Sequence, residues 1–256
     1  MSNFAMLDKK ITEKYLNVLM DFSKYLVSTK SLLPASRKSY LSIYFCKLIN
    51  ELRQHLKIIK TSNLNTTISI EPNILFPFNN IKTKTRKFHI SLGGKIVITN
   101  SIITEQSLSV NIILEHTDKC NPIPENWKMY PVDTGFHIIR RFHFDYDISN
   151  DDNLKPKFHL QYGGNFEQKY FDLGNNIYYK LCNPLDTPRL PQQPYDIIML
   201  LDFIVREFSL NCKIVNEARW NELVINSETI WLEPYYRSLL DRLSDSKRSQ
   251  PLHRIN

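Results

Sequence analysis

The spacing of apolar residues changes period along this chain, and that change restricts the fold more than any other feature. Between residues 8 and 29, Ile11, Tyr15, Leu19, Phe22 and Leu26 recur at three- and four-residue steps with Lys and Glu between them, the stripe of an amphipathic helix. Leu33-Pro34 interrupts the chain. Tyr40, Ile43, Tyr44, Leu48, Leu52, Leu56 and Ile59 then carry the same period, which predicts a second helix over 35–60 and an antiparallel helical pair. From about 65 to 180 the period becomes two. The runs TTISI, KFHISL, KIVITNSI, SLSVNIILEH, FHIIRRFHFDYD, KFHLQYGG and NIYYKL alternate apolar with polar residues and are separated by turn formers, which predicts a meandering antiparallel sheet. Leu92-Gly93-Gly94-Lys95 falls between two such runs and reads as a tight hairpin turn, since adjacent glycines accept positive φ.

After residue 184 the helical period returns. Pro188, Pro191 and Pro194 are spaced by three, the step of a polyproline II helix, and Pro194 suits the first turn of a helix over 195–208. Two shorter helices are predicted near 215–225 and 228–244. The fold class is therefore α+β: an antiparallel sheet flanked by an N-terminal helical pair and by C-terminal helices. With no repeat, low-complexity tract or linker, the expected organisation is one domain over 1–256. A helical layer at 1–62, the sheet at 63–183, the proline segment and helices at 184–246 and a frayed tail at 247–256 make it up.

Composition removes several function classes. The apolar run Ile197 to Leu201 is broken by Asp202 and is far shorter than the roughly 20 residues a bilayer span needs, so no membrane association is expected. The opening MSNFAMLDKK lacks the basic-apolar-small pattern of a secretory signal, which predicts a cytoplasmic protein. Cys46, Cys120, Cys182 and Cys212 are too scattered for a zinc knuckle or a CxxC redox pair and read as reduced, buried thiols. Lys and Arg total 33 against 26 acidic residues, a net charge of +7 that suits a nucleic-acid or other anionic partner. The chain is also rich in Lys, Ile and Asn, as an AT-rich genome imposes, so part of that excess has a compositional origin.

The candidate site lies on the two runs around residues 141–147 and 157–164. Alternate side chains of a strand point to opposite faces, so Phe142, Phe144 and Tyr146 share one side while Arg141, His143, Asp145 and Asp147 share the other. The next run repeats this, with Lys157, His159 and Gln161 on its polar side. If the two pair, imidazoles and carboxylates gather on one face. Such a group suits a divalent metal held by His143, Asp145, Asp147 and His159, or a His base oriented by Asp. It equally suits the solvated side of an ordinary hairpin. A calcium loop starting at Asp145 fails at Asn150 and Pro156. Glu167-Gln168-Lys169 resembles the Asp/Glu-x-Lys of restriction-type nucleases, but the same pattern recurs at Asp8-Lys9-Lys10 and Asp245-Ser246-Lys247, so it discriminates poorly. No G-x-S-x-G elbow is present. Lys82, Lys84, Arg86 and Lys87, with Arg140 and Arg141, are the candidate phosphate-contacting residues, and a charged, aggregation-resistant sheet edge explains them as well.

Taken together, HFDYD at 143–147, HLQYGG at 159–164, PRLP at 188–191 and the apolar helix holding Asp202 resemble a bacterial domain family that carries no assigned activity. The resemblance covers the C-terminal half. It implies an accessory gene of a mobile or antiviral locus, and it singles out His143, Asp145, Asp147, His159 and Arg189 as positions to test; Gln161, Arg189 and Asp202 are the candidate partner-binding or structural positions. The leading expectation is an accessory binding or assembly subunit of a bacterial nucleic-acid-handling or antiviral system, contacting a protein partner from the same locus or a phosphate backbone. The alternatives are a metal-dependent phosphodiesterase or nuclease and a purely protein-interacting module. Sequence leaves the choice open, and with it whether the chain is an enzyme, its oligomeric state and its cofactor, a divalent metal entering only with the nuclease.

Overall fold

The computed structural model describes residues 9–28, 54, 66–78, 87–116, 135–147, 157–163, 177–178, 190–208 and 213–244. Helix α1 spans Lys9–Ser28. Seven strands follow: β1 Thr66–Phe78, β2 Lys87–Thr99, β3 Ile102–His116, β4 Gly135–Asp147, β5 Phe158–Tyr162, β6 Ile177–Tyr178 and β7 Leu190–Pro191. Helix α2 Ile197–Glu207, a 3-10 turn Ile214–Asn216 and helix α3 Ala218–Ser244 complete the described elements. The strand order is β1-β2-β3-β4-β5-β7, antiparallel at every step, and two-residue β6 lies parallel to β4. The α+β class and the meander are thus as the period-two runs imply. The predicted second helix of the N-terminal pair falls outside the described residues, apart from residue 54.

One face of the sheet is apolar because the even-numbered residues of β2, β4 and β5 fall in phase. Ile90, Leu92, Ile96 and Ile98 of β2 and Leu108 and Val110 of β3 are buried there, with Tyr146 of β4 and Phe158 of β5. The three helices cover this face. Tyr146 stacks on Phe158 at 4.6 Å between ring centroids, and Trp231 of α3 meets both edge-on at 6.0 and 6.4 Å. Tyr15 of α1 closes the group against Trp231 at 5.3 Å. Edge-to-face pairs of this kind add about 0.5–1.5 kcal/mol each beyond their area burial. Phe144 packs on Tyr195 and on Phe203 of α2.

Three local predictions are corrected. Gly93 and Gly94 do not form a hairpin; they lie inside the continuous strand β2, and the turn to β3 is made by Asn100 and Ser101, both at positive φ (51° and 65°). Two successive positive φ values are what a two-residue primed turn requires, and Asn accepts them readily. The glycines serve a close approach instead: Gly94 has φ 147°, and a Cβ there would sit 1.9 Å from the backbone oxygen of Ser107. Second, Leu190–Pro191 is a short strand on β5 rather than part of a free polyproline rod, and α2 begins at Ile197, capped by Asp196, whose carboxylate accepts from the Met199 amide at 2.9 Å. Third, the two C-terminal helices are one, α3, which runs through Pro234. Ser227, where a break was expected, is fully buried between the core residues Val224 and Ile230, so packing on both sides holds the helix continuous.

Asp196 is completely buried, and of its polar neighbours Met199 donates its amide to one carboxylate oxygen while Ser227 and Tyr15 also lie against the group. Burial raises its pKa above 3.8, against the lowering effect of the Met199 amide and of the neighbouring Ser227 and Tyr15 hydroxyls. A raised folded-state pKa means the native protein holds a proton that the unfolded chain releases, so this stabilising contribution is full below about pH 4 and is lost as pH rises through the folded value. Asn at 196 keeps an oxygen for the Met199 amide and removes the buried charge. Asp196→Asn is therefore expected to gain stability relative to wild type as pH rises from 4 to 8 in urea unfolding, and parallel pH profiles would contradict this. Gly94→Ala is expected to lose about 2–4 kcal/mol in the same measurement, since backbone rather than a flexible side chain blocks the methyl group.

Candidate functional site on the polar face of the sheet

The opposite face of the sheet is polar and nonetheless sheltered. Strands β4 and β5 pair so that His143 lies opposite Gln161 and Asp145 opposite His159, which puts the sequence-predicted groups on one face as the alternation requires. On the other flank of β4, Ser107 lies opposite Asp145, Ser109 opposite His143 and Asn111 opposite Arg141. Ser91 and Asn111 are fully buried, and Ser109, Arg141, His159 and Gln161 nearly so. His143, Asp145 and Asp147 themselves are half-buried.

These side chains bond to one another. Ser107 Oγ donates to Asp145 Oδ1 at 2.8 Å, and the second oxygen of Asp145 is 3.7 Å from His159 Nε2. Asn111 Nδ2 donates to Ser91 Oγ at 3.1 Å. Arg141 Nε donates to His143 Nε2, and a further hydrogen bond joins the His143 ring to the Gly163 backbone. Burial first, then the Arg141 charge, push the His143 pKa down to about 3. A guanidinium on the imidazole lone pair and a protonated ring exclude one another, so the ring is neutral across the physiological range.

The geometry decides several chemical possibilities. A group with pKa near 3 is a weak general base at neutral pH, and the nitrogen that would take a proton or a metal already accepts from Arg141. In a nucleophilic triad the imidazole stands between hydroxyl and carboxylate; here the carboxylate of Asp145 stands between Ser107 and His159, so the hydroxyl is not activated. Among the described residues no group of three or more His, Cys, Asp or Glu is placed to hold a metal ion, and His143, Asp145, Asp147 and His159 are all described. Asp147 sits at the hairpin end, opposite Glu105, and its amide closes the pair with the Lys157 carbonyl at 3.2 Å. Glu105 is itself paired with Lys95 at 2.6 Å.

Of the remaining candidates, Arg140 is exposed and Arg141 is buried on the polar network. Lys87 opens β2 opposite Glu115. Lys82, Lys84, Arg86 and Arg189 lie outside the described residues. Asp202 accepts from Trp220 Nε1 at 2.6 Å, which ties α2 to α3, and from Arg206 Nε of its own helix at 2.8 Å. Sequence reasoning passed over Ser91, Ser107 and Asn111. The signal was present in SLSVNIIL, where Ser107, Ser109 and Asn111 alternate in phase with the polar side of β4, but hydroxyls and amides carry no chemistry until the register is known.

No protein-family model, curated protein or solved structure matches the chain, so the likeness to a bacterial domain family rests on the quoted runs alone. No helix among the described residues is long and apolar enough to cross a membrane.

His143 yields a direct test. Its folded pKa is below the unfolded value of about 6.5, so the stability it contributes is present above pH 6.5 and is lost as pH falls toward 3. Its imidazole resonances are expected to stay those of a neutral ring from pH 8 to pH 4, and a titration near pH 6.5 would show that the Arg141 bond does not persist in solution.

Proposed function

We propose that this chain is a non-catalytic binding and assembly subunit, of the kind a bacterial nucleic-acid-handling or antiviral system uses, with the β4–β5 hairpin as a rigid scaffold rather than a reaction centre. One observation carries this reading: His159 is buried, His143 and Asp145 are half-buried, and neighbouring side chains engage the imidazole and carboxylate groups on which a reaction would depend. Arg141 covers His143, and Ser107 and His159 flank Asp145. A phosphodiester or a metal would have to break these bonds, and truncating one partner of a buried, hydrogen-bonded charge is expensive. Buried polar networks in which each member has a partner fix strand register and rigidity.

Contact with a phosphate backbone is the second reading, supported by the net charge of +7 and the exposed Arg140 on β4. A single gel experiment separates the readings. Single- and double-stranded DNA and RNA are incubated with the protein and Mg²⁺ or Mn²⁺ over a salt series. The expected result is intact nucleic acid. Retardation that weakens steeply with salt and is reduced by Arg140→Ala would support the phosphate contact. Cleavage abolished by Asp145→Ala in a folded variant would overturn the non-catalytic reading.

A further inference from the structure

The even-numbered residues of β4 run from a covered to an uncovered end of the apolar face. Trp231 of α3 meets Tyr146 and Phe158, and Tyr195 and Phe203 pack on Phe144. One pair further along, Phe142 lies opposite Tyr162 with ring centroids 5.5 Å apart, and there the cover ends: Phe142 is half-buried and Tyr162 is 51% exposed. Phe203 of α2 is itself 37% exposed, 6.5 Å from Phe144 and 6.2 Å from Tyr195. Rings from β5, β4 and α2 thus form one row that reaches solvent at Tyr162 and at Phe203. Arg140 is the next residue of β4 on this side. It pairs with Ile112 in step with Phe142 opposite Val110, so its side chain leaves the strand with the rings, about 7 Å along the backbone from Phe142. It is exposed and makes no ion pair among the described residues. On α2, Asp202 is bonded to Trp220 and Arg206, and the exposed carboxylate is Glu207, one turn past Phe203.

We infer that this row is a stacking platform for a single-stranded nucleic acid, with bases on Tyr162, Phe142 and Phe203 and a phosphate on Arg140. The inference rests on the phosphate-contact reading above and names the class of nucleic acid. Every base has a π face, so a row of rings takes successive bases without regard to sequence. The ring separations of 5.5 to 6.5 Å exceed the roughly 3.4 Å rise of stacked bases, so the row suits bases splayed apart and excludes those held in a duplex. Charge complementarity selects this occupant. An exposed cation beside the rings matches a ligand that alternates flat bases with anionic groups, and the net charge of +7 draws a polyanion toward the chain.

Fluorescence anisotropy on the full chain, over a salt series, uses labelled oligo-dT and oligo-U of about 20 nucleotides and a duplex of the same length. The single strands are expected to bind about tenfold or more tighter than the duplex. Tyr162→Leu, which keeps an apolar side chain and removes the ring, should lower affinity about 5- to 100-fold without changing its salt dependence, and Tyr162→Trp should retain it. Arg140→Ala should lower affinity and flatten the salt dependence by about one phosphate contact. Binding that Arg140→Ala weakens but Tyr162→Leu does not would overturn the stacking and leave the phosphate contact standing. Equal affinity for duplex and single strand would do the same, as would a loss in Tyr162→Trp as large as that in Tyr162→Leu. Absence of binding to every oligonucleotide would overturn both readings. Self-association in sedimentation that Tyr162→Leu removes, without oligonucleotide binding, would assign the row to a protein contact instead.

Discussion

The aromatic group of Tyr15, Tyr146, Phe158 and Trp231 joins α1, β4, β5 and α3 at one point, and the remaining features depend on it. Trp231 is 2% exposed and touches three other rings, so its position sets how α3 lies on the sheet. Tyr146 and Phe158 face each other across the hairpin register, and their stacking favours that register over a slip by one residue. Such a slip would turn Tyr146 to the polar face and Asp145 into the core. The same contact that buries the apolar face therefore also places Asp145 opposite His159.

Register is what converts a list of polar residues into a network. His143 and Asp145 are two residues apart on β4, yet their surroundings differ. His143 has a guanidinium on its ring nitrogen, whereas Asp145 has a hydroxyl donor on one side and an imidazole 3.7 Å away on the other. Burial makes these bonds matter. In water a lone serine-carboxylate bond contributes little, but in a sheltered site leaving either group without a partner costs a few kcal/mol. The polar face thus opposes rearrangement, which suits a scaffold and works against a site that must exchange protons or ligands.

Helix α3 combines both roles. Its inner face supplies Trp220 and Trp231 to the core, and its outer face keeps large apolar side chains in solvent. Ile225, Tyr236, Leu240 and Leu243 are the large apolar side chains this helix leaves exposed, and such groups offer a surface for association. The Asp202 bond to Trp220 holds α3 against α2, so the outer face is presented on a fixed support.

The change from helical to two-residue period, written in the order of apolar residues, by itself determined the α+β class, the meander and the division of β4 and β5 into an apolar and a polar side. Those follow from side-chain direction along a strand, which is local. The primed turn at Asn100-Ser101, the role of Gly94 and the continuity of α3 through Pro234 were decided only by tertiary structure. The last two depend on a distant contact: the Ser107 carbonyl across from Gly94, and the core around Ser227 and Trp231. The character of the candidate site was likewise a tertiary decision. Residue types at 143, 145 and 159 are the same for a reactive cluster and a structural one; burial and the Arg141 and Ser107 bonds distinguish them, and neither exists until the strands are paired.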